Sequence, residues 1–193
     1  SLEMFALNDK NIFNMPAIGV YQPKLLDFVV DRLVQSVREA EKDLQPVRVG
    51  TGQRFLDDFN RNRRDEPAVD NSLTVTRIDR MSGEPMACLV QWTAHPTIMS
   101  DADMWVSGGW PGYLQREMEA WIGGDVQVMY YNGAVGDQSV LADRGGSHYE
   151  SAERYGRDIA IHGLTLFNTI ETSPDAPVRC HAEKVSLPTI GPH

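Results

Sequence analysis

The sequence predicts a layered α/β domain in which helices flank a mixed β-sheet. Three observations carry that expectation. Two long segments, roughly Pro23 to Leu44 and Tyr149 to Thr169, are helical in pattern. Strand-like apolar or alternating runs lie between them. The elements also follow the order helix, strand, hairpin, helix, strand, helix, strand, which suits a sheet holding both parallel and antiparallel pairs. With 193 residues and 41% apolar content, the chain has room for one full core and not for two. A single α/β domain over residues 1–193 is expected, whole or as a piece of a larger one.

In the first helix Leu26, Val29, Leu33, Val37, Ala40 and Leu44 recur at three- and four-residue intervals, giving one apolar face. Gln45-Pro46 closes it, because proline disfavours helical geometry in the residue before it. Val47-Arg-Val49 then reads as a short strand stopped by Gly50-Thr-Gly52. From Phe55 to Ser72 the chain is charged and aperiodic, so a loop is expected. Leu73 to Asp79 alternates, Met81-Ser-Gly-Glu-Pro85 carries turn chemistry, and Met86 to Trp92 is nearly continuously apolar, which together predict an antiparallel hairpin.

Pro111 suits the first turn of a helix reaching Ile122, closed by Gly123-Gly124. Asp125 to Tyr131 is a buried strand, Asn132 to Arg144 a glycine-containing loop, and Tyr149 to Thr169 the last helix. Thr172 to Pro177 is a proline-marked connection, and Val178 to Leu187 a final strand.

Eighteen basic against 27 acidic residues leave a formal charge of −9, which repels a phosphate backbone and argues against nucleic acid as a partner. No apolar run approaches the ~18 residues of a membrane-spanning helix, although contact with a membrane surface is compatible with the sequence. Cys88 and Cys180 lack the spacing of a thiolate metal site. Ser1-Leu2-Glu3-Met4 lacks a basic-then-apolar targeting pattern. Both ends fit a piece cut from a longer polypeptide.

Four groups of residues offer chemistry. His95 sits just beyond a buried strand, in a segment that Pro96 holds extended, where a ligand or catalytic side chain is easily presented. A lone strand-end histidine is more often structural. After Tyr131, Gly133 and Gly136 can bring backbone N–H groups near a substrate, with Asp137 as a carboxylate and Ser139 as a hydroxyl. An ordinary turn is the plainer reading, since Ser139 lacks the second glycine of a nucleophile elbow. Arg61, Arg63 and Arg64 could hold a substrate oxygen or form a solvated face. Asp101 and Asp103 could imitate a metal-binding pair or simply be exposed, and His148 and His162 read as structural.

The arrangement resembles the neutral/alkaline, non-lysosomal ceramidase family. The residues that carry the resemblance are Asn62-Arg63, Trp92-Thr-Ala-His95-Pro-Thr97, Ser107-Gly-Gly-Trp-Pro-Gly-Tyr113 and Asn132-Gly-Ala-Val-Gly-Asp-Gln-Ser139, in that order, within roughly Gln45 to Leu187. The resemblance implies a zinc amidase cleaving an N-acyl, lipid-like substrate. It makes His95 a zinc ligand, Ser139 the active-site hydroxyl, Arg63 a polar contact at the scissile amide, and Asn132, Gly136 and Asp137 substrate-lining residues. Zinc would polarise the amide and lower the pKa of water toward ~7.

The family's first zinc His is expected upstream of the matched region, where this chain has none, and its Glu and Tyr ligands beyond His193, so the segment alone should be inactive and needs the rest of the parent domain. Gly109, Gln138 and Val140 differ from the family's usual residues, leaving the N-acyl substrate open beyond ceramide. An extracytoplasmic place, periplasmic or secreted, goes with the resemblance. The alternatives are a binding domain that kept the fold without the metal site, and a metal-independent serine esterase or amidase.

Overall fold

The computed structural model describes residues 22–142, 145–177 and 179–186. The chain divides into two compact units, Ser1–Gln45 and Pro46–His193. In the first, α1 (Pro23–Lys42) opens with proline in its first turn, where the missing N–H costs nothing, and carries the expected apolar stripe.

The second unit contains β1 (Val47–Phe55), β2 (Asn60–Asn62), β3 (Ser72–Arg80), β4 (Pro85–Trp92), α2 (Gly109–Ile122), β5 (Gln127–Asn132), β6 (Gln138–Val140) and α3 (His148–Phe167). Its main sheet has the order β1-β3-β4-β5. β1 with β3 and β3 with β4 are antiparallel, whereas β4 and β5 are parallel. Connection length explains the difference: four residues join β3 to β4, and the excursion through α2 joins β4 to β5. The predicted α/β class with a mixed sheet and flanking helices is borne out.

Alternation along the strands turns Leu73 and Val75 of β3, Cys88, Val90 and Trp92 of β4, and Val128 of β5 into the core. Trp110, Leu114 and Met118 of α2 and Tyr155, Ile159 and Phe167 of α3 complete it. Trp110 meets Tyr130 and Tyr155 edge to face, with ring centroids 4.9 and 5.1 Å apart. Burial pushes the Cys88 thiol up to about 12, against the nearby Arg77 charge, so this cysteine is an inert core residue.

Three sequence expectations need correction. β1 does not stop at Gly50 but runs through Gly50 and Gly52 to Phe55. The glycines are there because the chain after α3 presses on the strand: a Cβ at Gly50 would lie 2.2 Å from the Glu171 carbonyl oxygen. The two expected loops, Phe55–Ser72 and Asn132–Arg144, each contain a three-residue strand, and these strands, β2 and β6, pair with each other. No strand forms in residues 179–186, and Val178 and Leu187 lie outside the described residues. The β1 edge is met earlier, by Ser173, whose backbone exchanges hydrogen bonds of 2.9 and 3.0 Å with Val49.

Candidate functional site

Because β4 and β5 run parallel, Trp92 and Asn132 stand opposite each other at the carboxyl ends of their strands. Such ends are where parallel α/β sheets open toward ligands. Two segments leave the sheet there, Thr93 to Thr97 and Gly133 to Asp137, and they converge on β6. His95 forms a parallel bridge with Ser139, and its N–H donates to the Gln138 carbonyl at 3.3 Å. The Ser139 hydroxyl lies 3.4 Å from that of Thr97. The two motifs most prominent in the sequence thus form one patch, and Thr97 joins it as a hydroxyl that sequence reasoning left without a role.

His95 is half-buried, and its Nδ1 lies 3.3 Å from the Val135 carbonyl oxygen. Donation from Nδ1–H to that carbonyl leaves the Nε2 lone pair for a metal or a proton. Ser139 is buried, opposite Arg61 in the β2–β6 register. Arg63 follows β2; its N–H donates to the Asp137 carbonyl at 2.6 Å and its side chain is exposed. The three arginines are therefore part solvated face and part rim of the patch.

The Asp137 carboxylate accepts hydrogen bonds from the Gln138 and Asn62 side-chain amides, each at 3.0 Å. The Gln138 bond foremost, with help from Asn62 and the Arg64 guanidinium and against partial burial, holds this carboxyl below the usual range. Asn132 is exposed and accepts a hydrogen bond from the Tyr130 hydroxyl. Gly136 is exposed, with open space where a Cβ would stand. Gly133 is different: a Cβ there would lie 2.1 Å from the Thr93 hydroxyl oxygen, so its loop needs glycine to lie against Thr93.

Beside the patch is a set of polar residues to which the sequence assigns no role. Asn60 is buried and donates through its amide to the backbone carbonyls of Asp70 and Thr93, both at 2.7 Å. Thr93 is fully buried and donates to the Asp70 carboxylate at 2.5 Å. Asp70 in turn donates its N–H to the Gln138 side-chain oxygen at 3.2 Å. Asn60 stands beside one quoted motif and Thr93 within another, but only the folded chain brings them together.

The remaining candidates sit elsewhere. His148 opens α3, with Nδ1 2.9 Å from the Asp103 carboxylate, and His162 meets the Phe59 ring edge to face at 5.2 Å. The side chain of Asp101 lies outside the described residues. Among the described residues no group of three or more His, Cys, Asp or Glu side chains could hold a metal ion. No helix among them is long and apolar enough to cross a membrane.

No family model matches the chain. It is 34% identical over 116 residues to neutral ceramidase A of Dictyostelium discoideum, a stretch covering 53% of this chain and 16% of that protein. It is 28% identical over 127 residues to neutral ceramidase B of the same organism, covering 58% and 18%. With the neutral ceramidase of Pseudomonas aeruginosa it shares 27% identity over 120 residues, covering 56% and 18%. The crystal structure of the neutral ceramidase from Pseudomonas aeruginosa superposes with a TM-score of 0.68 at 20% identity, covering 77% of this chain and 27% of that one. The chain spans less than a fifth of the length of the curated relatives it matches. Sequence and fold agree in matching it to a segment of the neutral ceramidases, the family that its motifs resemble.

Proposed function

We propose that the full-length protein to which this chain belongs is a zinc-dependent amide hydrolase of the neutral ceramidase kind, cleaving an N-acyl, lipid-like substrate, and that this chain supplies one metal ligand and one wall of its site. The observation that carries the reading is the meeting of His95 and Ser139 at the carboxyl ends of the parallel strand pair. One donor nitrogen of imidazole, oriented by a backbone carbonyl, fits a zinc ligand position. A bound zinc ion supplies Lewis acidity, polarising the amide carbonyl and making water nucleophilic near neutral pH.

The residues of this chain take the other tasks. His95 holds its ring through Val135. Ser139, fixed in β6, offers its hydroxyl to the amide as nucleophile or as donor to the developing oxyanion. Arg63 contacts the polar end of the substrate, and Asn132, Gly136 and Asp137 border it, the open side of Gly136 giving room for close approach. Neighbouring parts of the parent domain complete the ligand set, so this chain alone is inactive. An extracytoplasmic location, with substrate drawn from a membrane surface, goes with this reading.

A metal-independent serine hydrolase of the Ser–His kind requires a histidine bonded to the serine hydroxyl. Among the described residues His95 Nδ1 faces Val135, and no histidine makes that bond. The test is zinc content and N-acyl amide hydrolysis by the full-length protein, with and without His95→Ala. Stoichiometric zinc, and loss of both metal and activity in the variant, is the expected result. A protein without zinc whose hydrolysis survives His95→Ala would sink the proposal.

A further inference from the structure

Two segments that are distant in sequence must be held in fixed relation for His95 and Ser139 to act together, and one exposed-to-solvent loop residue touches the supports of both. Asp70 accepts the Thr93 hydroxyl at 2.5 Å through Oδ2, two residues before His95. Its N–H reaches Gln138, the residue before Ser139, at 3.2 Å. Its carbonyl takes the Asn60 amide at 2.7 Å, and the same amide nitrogen spans to the Thr93 carbonyl at 2.7 Å. Oδ1 is anchored by the Ser72 N–H at 3.0 Å and hydroxyl at 2.6 Å, which orients the carboxylate from the β3 side.

We propose that Asp70 is a positioning residue that sets the spacing between His95 and Ser139. Four segments converge on it: β2 through Asn60, the start of β3 through Ser72, the end of β4 through Thr93, and β6 through Gln138. Partial burial raises its carboxyl, but the hydrogen bonds from Ser72 and Thr93 outweigh that and hold it below the usual range, so it is anionic at neutral pH and the bonds its carboxylate accepts from Ser72 and Thr93 are of the stronger, charge-assisted kind. Asp70 acts through Thr93 and Gln138 rather than on a substrate. The kinetic part of this inference rests on the proposed hydrolase reading; the structural part does not.

The test uses the full-length protein with Asp70→Asn, which keeps side-chain volume and removes the charge; Thr93→Val, which removes the hydroxyl; Thr93→Ser, which restores it; and the Asp70→Asn/Thr93→Val pair. Loss of alignment at a reacting centre lowers kcat steeply, so Asp70→Asn and Thr93→Val should each lower kcat by roughly tenfold or more with KM within about twofold. Thr93→Ser should recover most of the rate, and the double variant should fall no further than either single one.

Amide exchange is read alongside: the His95 and Gln138 amides should exchange roughly tenfold faster in the impaired variants, and those of Val75 and Val90 unchanged. Unchanged kcat, additive losses, or faster exchange spread evenly through the sheet would overturn the proposal. If the wild-type protein hydrolyses no N-acyl amide, the hydrolase reading fails by itself, and the exchange pattern alone decides the role of Asp70.

Discussion

Tyr155→Phe removes a single oxygen from the core, and its consequences can be followed bond by bond. The Tyr155 hydroxyl accepts from the Trp92 indole N–H at 3.0 Å and donates to the Phe59 carbonyl at 2.8 Å. Burial raises its pKa, against the Trp92 hydrogen bond, so the group is a neutral phenol under all ordinary conditions. Without it the Phe59 carbonyl keeps a partner in the Leu141 N–H at 2.8 Å. Trp92, at 0% exposure, is left with an indole N–H that has neither that partner nor water.

An orphaned buried donor costs about 1–3 kcal/mol, and the lost bond to Phe59 adds about 0.5–1.5 kcal/mol. A total near 2–4 kcal/mol follows, a sizeable share of the roughly 5–15 kcal/mol that holds a domain folded. Urea denaturation followed by tryptophan fluorescence measures it as a lower midpoint at unchanged slope. Because Trp92 opens the segment that carries His95, exchange of the His95 amide should rise as well. A loss of stability below about 0.5 kcal/mol would refute the account, since it would mean that the indole finds another partner at no cost.

Two further outcomes are expected. Gly156→Ala places a Cβ 2.5 Å from the Trp110 carbonyl oxygen, where α3 crosses the start of α2, whereas Gly163→Ala meets only the flexible end of Met118, 3.0 Å away. The first should cost about 1–3 kcal/mol as overpacking against backbone and the second less than about 1, so equal midpoints in thermal denaturation would contradict the close approach. The Asp137 carboxyl is depressed below 3.8, so its contribution is fully present above that value and is lost as pH falls through its folded pKa. Protection of the Arg63 amide, taken relative to its intrinsic exchange rate, should fall across that acid window and lose the dependence in Asp137→Asn, and an identical pH profile in the variant would refute the assignment.

What could be read in advance follows the range of the interactions involved. Periodicity in α1 and α3, the alternation of β3, and the turn chemistry before Pro85 are local signals, and each gave an element close to its observed bounds. Gly50 misled because a glycine pair reads locally as a stop, whereas here it is made by Ile170 and Glu171 lying against the strand. β2 and β6 are too short to show a period, and their pairing joins Asn60 to Val140 across most of the unit.

The site divides the same way. His95 and Ser139 stand out because proline and glycine punctuate their segments. Asp70, Asn60 and Thr93 look like ordinary loop and strand-end residues until distant segments are brought together. The final strand failed for a related reason, since Ser173 meets the β1 edge before residues 179–186 could.

The parallel pairing of β4 with β5 has a consequence for how this protein can change. Between Trp92 and Asn132 the chain departs, builds the Asp101–Asp103 turn and α2, and comes back to the adjacent strand. Ladder hydrogen bonds, rather than that excursion, determine how far apart the two strand ends stand. The exposed stretch Met104-Trp105-Val106 lies on the excursion. Residues added or exchanged there leave the two strand ends at the same separation. That stretch can therefore change in length or sequence while the β4–β5 ladder keeps Trp92 beside Asn132.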